Sequence, residues 1–334
     1  MLAGYLGLGT LTAFGADRLL VLSKGDHTLA VVNPATNKVM GKAPVGVDPH
    51  EVVASTDGKL AYVSIYGGGS LNTIDVIDIV HNKALAPIDL GPMRGPHGLV
   101  FVGGKLWFTA EGAKAIGHLD PASGKVDWIL GTGQDRTHML WVAPDQKTIY
   151  TTNVNSATVS ILERSEPVAV RGHRPPSPPG GTWKETVVPV GHGDEGFDVS
   201  PDGKELWTAN AADGTISILD LGSKKVSETL SANVKGANRL RFTPDGKLVL
   251  VSSLDNNTGL AILDAKSHKE LKRLPTPKGA AGIEMQPDGT RAFVSCTGSD
   301  YVAVVDLKSL TISNRLLAGR GPDGLAWTTS ADTP

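Results

Sequence analysis

The stretch Pro49-His50-Glu51-Val52-Val53-Ala54-Ser55-Thr56-Asp57-Gly58-Lys59-Leu60-Ala61-Tyr62-Val63 decides the fold, because its pattern returns along the whole chain. Apolar alternation runs into an Asp-Gly turn and then into a second apolar run, which predicts two strands joined by a tight hairpin. Echoes follow at Thr137-His138 to Lys147, Glu195-Gly196 to Lys204, Asn238 to Lys247 and Ala281 to Gly289, with shorter ones at Pro96-His97-Gly98 and Gly321-Pro322-Asp323-Gly324. Each unit continues through two more strand-like runs, such as Asn72 to Asp78 and the run ending at Leu90, which makes four strands per unit.

Aligned on the residue that opens the first strand, the units fall at 50, 97, 138, 195, 238, 281 and 323, in steps of 47, 41, 57, 43, 43 and 42. A period of about 40 to 50 residues with four strands per repeat predicts a β-propeller, here with seven blades. Arg18 to Val45 supplies three strands without a first one, and Gly321 to Trp327 supplies a first strand with nothing after it. The two segments therefore complete one blade, closing an all-β ring that leaves no long free edge.

With 334 residues, 40% hydrophobic residues, 40 Gly and 21 Pro, the composition fits a turn-rich all-β chain. Because the repeats run throughout, residues 17–334 are expected to form one domain, as a monomer. Lys+Arg 32 against Asp+Glu 34 gives a net charge of −2, which argues against nucleic acid as a partner. The single Cys296 excludes an intramolecular disulfide. Residues 1–16 are apolar, uncharged and end in small residues, which suggests a signal-peptide core without a basic start and hence a periplasmic or secreted protein, with a cytoplasmic one the alternative. They are too few for a membrane span. A Pro/Gly-rich insertion at 163–184, which contains His173, accounts for the 57-residue step and reads as an irregular loop between the third and fourth strands of its blade.

Tyr150-Thr151-Thr152-Asn153 and Trp207-Thr208-Ala209-Asn210, each followed by a Val-Ser or Ile-Ser strand, resemble the YVTN-type propeller repeat, as do the Ser/Thr-Pro-Asp-Gly-Lys turns. The resemblance covers residues 18–328. It implies the fold but no single activity, since this repeat occurs in surface-layer proteins, lactonase-like proteins and cytochrome-associated domains.

In a propeller the first strands line a central channel, so the seven opening residues are neighbours at its mouth. They are His50, His97, His138, Glu195, Asn238, Ala281 and Asp323, and three consecutive histidines are unusual in a chain holding nine. Polar plugs in a wet channel are one reading. The other is a metal site in which His50, His97, His138 and Glu195 hold one divalent transition metal, Zn, Cu, Fe, Ni or Mn, with an open position for chemistry. Such a site resembles those of carotenoid cleavage oxygenases and oligogalacturonate lyases in placing histidines on a propeller axis, while calcium would prefer oxygen ligands.

Arg94, Arg136, Lys235, Lys278 and Arg320 precede first strands and are expected to rim the same mouth, where Arg94, Arg136 and Arg320, with Asn238 and Asp323, would bind a small anionic molecule. From the other loops of that face come Lys24, Tyr66, Glu111, Asn153, Asn210 and Asp255, of which Asn153 and Asn210 read as turn caps. His192, three residues before Glu195, is the candidate acid or base. The sequence thus points to a metal-dependent enzyme of open reaction class. A non-catalytic YVTN-type scaffold and a lactonase-like hydrolase are the alternatives.

Overall fold

Five of the inner hairpins turn on an aspartate, at 57, 145, 202, 245 and 288. The Asp57 carboxylate accepts hydrogen bonds from the Ser55 hydroxyl (2.6 Å) and the Lys59 amide (3.1 Å), and Gly58 takes the left-handed conformation (φ 67°) that completes the turn. Asp202 and Asp245 make the same pair of bonds with Ser200 and Lys204 and with Thr243 and Lys247. Local chemistry thus specifies these turns without recourse to long-range contacts.

In a computed structural model, which describes residues 16–165 and 181–330, these hairpins belong to seven antiparallel sheets. The first blade orders Pro322–Ser330, Ala16–Ser23, Thr28–Asn33 and Lys38–Pro44 from axis to rim. Leu20 pairs with Ala326 and Leu19 with Trp327, so the two ends of the chain close the ring as expected. The other blades open with Pro49–Ala54, Pro96–Val102, Thr137–Val142, Asp194–Val199, Ala237–Phe242 and Ile283–Met285. Six of the seven expected opening residues sit second in an inner strand, whereas Ala281 lies two residues before its shortened one. Blade 2 departs from the rule of four at its rim, where Lys83–Ala84 and Ile88–Asp89 both pair with the third strand.

Seven apolar clusters among the described residues hold the blades together, one at each junction. At the closing junction, for example, Leu19 and Val21 of blade 1 meet Phe293 and Val302 of blade 7. Middle strands such as Thr28–Asn33 are buried on both faces, and rim strands such as Lys38–Pro44 alternate. Val and Ile suit the first environment, which explains the near-continuous apolar runs.

The paired strands Thr158–Ser165 and Thr182–Pro189 extend into the expected 163–184 loop, so the irregular part is shorter than the composition suggests. Residues 166–180, with His173, lie outside the described residues, as do residues 1–15 of the signal-peptide reading, while Ala16 already begins a strand. Among the described residues no helix is long and apolar enough to cross a membrane.

Candidate metal centre

Three repeated devices build the channel mouth. The first is a Ser or Thr in the next-to-last place of the second strand. Thr109 accepts from the Gly98 amide (2.8 Å) and donates to the carbonyl of His138 in the following blade (2.7 Å). Thr152, Ser252 and Ser295 donate likewise to the carbonyls of Glu195, Ala281 and Asp323. These bonds fix the opening residue of one blade to the body of the blade before it. They also bring backbones so close that a Cβ on Gly98 would lie 2.8 Å from the His138 carbonyl oxygen, which is why glycine follows the opening residue there.

The second device is the residue just past the second strand. In blades 1 to 3 this position holds Lys24, Tyr66 and Glu111, and each reaches toward the opening residue of the next blade. Lys24 Nζ lies 2.8 Å from His50 Nε2, the Tyr66 ring packs edge-on against His97 (centroids 5.4 Å apart), and Glu111 Oε1 accepts from His138 Nδ1. In the next three blades the position is Val154, Ala211 and Leu254, so the charged and phenolic exit residues lie on one side.

The third device is strain. Two residues before each opening residue the backbone is left-handed in all seven blades, and five of these positions are glycine. The exceptions are Asp48 (φ 53°) and Arg136 (φ 57°). A side chain there costs about 1–2 kcal/mol, and both exceptions aim charge at the cluster. Asp48 lies 3.4 Å from Lys24 and its carbonyl 3.1 Å from His50 Nδ1, while Arg136 contacts Glu111 (3.5 Å) and Glu195 (3.3 Å).

Within this frame His97, Glu111 and His138, all buried, bring ligand atoms within 4.8 Å of one another and could hold a metal ion. Two ligands about 2.1 Å from an ion stand about 3.4 Å apart in a tetrahedron, so a small contraction would suffice. His97 Nδ1 and His138 Nε2 are buried with no hydrogen-bond partner, a costly state for two imidazoles unless a ligand occupies them. Burial, then the charges of His138, His50 and two arginines, holds His97 well below the usual histidine range. Burial raises Glu111, but the bond from His138, its charge, and Tyr66 and Arg136 outweigh it and hold the carboxyl below its usual range. A neutral imidazole beside an ionised carboxylate is a metal-ready pair.

The other sequence candidates divide. Glu195 stands 3.8 Å from His138 Nε2 and accepts from Asn238 Nδ2 (2.9 Å), so both belong to the mouth. His50 is also there, its ring 4.8 Å from that of His97, but Nδ1 faces the Asp48 carbonyl and Nε2 faces Lys24, so both nitrogens are engaged. Burial and Lys24 lower its proton affinity. Asp323 lies 3.3 Å from Lys24. Arg136 is inside the cluster, bound by two carboxylates rather than free for an anion. Arg320 turns to Asp26 (2.6 Å), and Arg94, Lys235 and Lys278 are exposed. His192 is exposed, with its amide on Asp213 (2.6 Å) and its side chain unpaired, outside the group formed by His97, Glu111 and His138. Asn153 and Asn210 cap turns as expected, the first on Thr158 and Ser160 and the second on Thr215 and Ser217. Of the expected cationic rim only Arg136 joins the mouth, in a set of ion pairs where five carboxylates (Asp48, Glu51, Glu111, Glu195, Asp323) face three cations (Lys24, Arg136, Arg239), the last bound to Glu51. Two negative charges are left over, which a divalent ion would neutralise.

No protein-family model matches the chain, and no curated protein matches its sequence. Its fold is similar to that of a functionally unknown protein from Desulfotomaculum acetoxidans (13% identity, 94% of this chain and 99% of the other, TM-score 0.73). It is also similar to a protein from Bacteroides uniformis provisionally assigned as a 6-phosphogluconolactonase (14%, 94% and 100%, TM-score 0.71). A third likeness is to hydrazine synthase of Kuenenia stuttgartiensis (17%, 84% and 91%, TM-score 0.68). At these identities the likeness establishes the seven-bladed propeller and nothing of the chemistry.

Proposed function

We propose that this propeller is a metal-dependent enzyme whose ion sits at the channel mouth between His97, His138 and Glu111, with Glu195 as the second carboxylate. The observation that carries the reading is the pair of buried, partnerless nitrogens, His97 Nδ1 and His138 Nε2, beside surplus negative charge. If His138 binds through Nε2, Glu111 orients the ring from Nδ1. If it binds through Nδ1, Glu111 joins as a ligand. Glu111 is needed in both cases. His50, with its nitrogens held by Lys24 and Asp48, stands beside the centre rather than in it. With Arg136 and Arg320 bound to carboxylates, a small anionic substrate would be drawn by the ion itself, which polarises a bound oxygen.

The test is elemental analysis of protein offered Zn, Cu, Fe, Ni and Mn in turn, alongside His97→Ala. One equivalent in the wild type and little in the variant supports the centre, and no uptake of any ion by the wild type overturns it. The lactonase-like reading is favoured second by the likeness to the Bacteroides protein, and screening small lactones and carboxylates against loaded and chelated protein separates it from a non-catalytic scaffold.

A further inference from the structure

The channel has a second chamber. Below the mouth, Glu51 of blade 2 meets Arg239 of blade 6 in a buried ion pair, and Glu51 also lines a cavity of about 300 Å³ that no histidine lines. That size is at the small end for sites that enclose organic molecules. Its polar groups are the mirror of the mouth's. At the position three residues after the opening residue, blades 5, 6 and 7 carry Asp198, Arg241 and Glu284, whereas blades 2 and 3 carry Val53 and Val100 and blade 4 carries Trp141. Phe197 and Trp327 add further aromatic surface. Solvent reaches the chamber beside Arg241, whose side chain is 38% exposed.

The charges in the chamber do not cancel. Asp198 is satisfied by Arg241 (3.6 Å) and by the Phe242 amide (2.9 Å). Among the described residues Glu284 forms no ion pair, and it lines the cavity, where with Asp198 it sets two carboxylates against the one Arg241. Burial, opposed by the charge of Arg241 and a bond from the Trp327 amide and reinforced by Asp198, pushes it up to about 7. A carboxylate with no ion pair of its own, in a chamber lined by aromatic side chains, selects a small organic cation: the charge meets the carboxylate and the apolar body meets the rings.

We propose that this lower chamber is a second binding site, separate from the metal centre, for a small planar or aryl-substituted organic cation such as an amidinium or primary ammonium compound, anchored by Glu284. It does not depend on the metal reading. The probe is benzamidine, titrated into the full chain at pH 8 and followed by calorimetry and by tryptophan fluorescence, since Trp141 and Trp327 line the chamber. One saturable site is expected, weakened at least tenfold in Glu284→Gln and unchanged in His97→Ala. Benzoate, with the same ring and the opposite charge, should not compete. Unaltered thermal unfolding of Glu284→Gln shows that the loss is local. Absence of saturable binding by the wild type, equal binding by Glu284→Gln at an unchanged fold, or displacement by benzoate each overturns the proposal.

Discussion

Glu111 of blade 3 accepts a hydrogen bond from Nδ1 of His138 in blade 4, and the Tyr66 hydroxyl of blade 2 donates to its other carboxylate oxygen (2.5 Å). Three blades thus meet in one chain of bonds, so the centre is assembled by ring closure and not by the ion. Metal-free protein should remain folded, and a saturating ion should raise stability by about 4 kcal/mol at a thousandfold excess over Kd. A differential scanning comparison with and without chelator checks this, and an unfolded metal-free chain would contradict it.

Removing individual groups ranks their roles. Glu111→Gln should weaken the ion about 10–100-fold through the lost orientation or charge. His50→Ala should change affinity by a few-fold at most, because its nitrogens are already engaged. Competition against a chromogenic chelator measures both, and a larger loss for His50→Ala than for Glu111→Gln would return His50 to the ligand set.

Protons compete with the ion for imidazole. An ordinary histidine would lose metal as pH falls below about 6.5, but His97 is held well below that by burial and by the positive charge around it. The His97 bond to the metal should therefore persist as pH drops through 6.5 and be lost to protons only in more acidic solution. The same depression means that the unfolded chain takes up a proton first, so the part of stability due to His97 is present above 6.5 and lost as pH falls below it. Metal retention against pH, read by elemental analysis after gel filtration, settles the first point.

Asp194 supplies a pH test away from imidazole. It is fully buried, one oxygen has no partner, and burial first, then Glu195, pushes it up to about 8 against the bonds from the Asn153 amide and its own. The unfolded chain releases this proton near pH 4, so the native state is penalised increasingly as pH rises from there to about 8. Asp194→Asn cannot ionise, and its unfolding free energy, followed by denaturant melts, should gain on the wild type between pH 5 and 9, by on the order of a few kcal/mol at the upper end. A difference that does not change with pH would refute the shift.

Two backbone changes probe the frame. Gly98→Ala places a methyl 2.8 Å from the His138 carbonyl oxygen, so the blades must part. Stability should fall by about 1–3 kcal/mol and metal affinity with it. Deleting residues 320–334 removes the inner strand that pairs with Ala16–Ser23 and exposes Leu19 and Val21, and soluble expression should fail. Normal melting of either variant would contradict this account of the ring.

The fold was legible because its information is periodic: the Asp-Gly turns, the opening residues and the final half-blade all recur at readable intervals. His97, His138 and Glu195 were legible for the same reason, since the opening position is an inner-strand position in the structure. Glu111 stood out only as one polar loop residue among six, although alignment on the end of the second strand places it in register with Lys24 and Tyr66. Its partner belongs to the next blade, and that neighbour relation is not written in any single repeat. The arginines misled for a related reason: Arg136 and Arg320 do precede first strands, but acids elsewhere in the ring or across the closing junction meet them. His192 is near Glu195 in sequence, yet its side chain lies outside the cluster.

The pairing of each strand-exit residue with the opening residue of the following blade works as an address system. Blade number selects the location, and the two residue types select the chemistry, almost independently of the cores between blades. Sockets filled by Ala211 and Leu254 are blank copies of the one filled by Glu111. The centre is therefore transposable in principle: a carboxylate written at 211 and an imidazole at 238 would specify the Glu111–His138 couple two blades further round, on a scaffold that already holds that geometry.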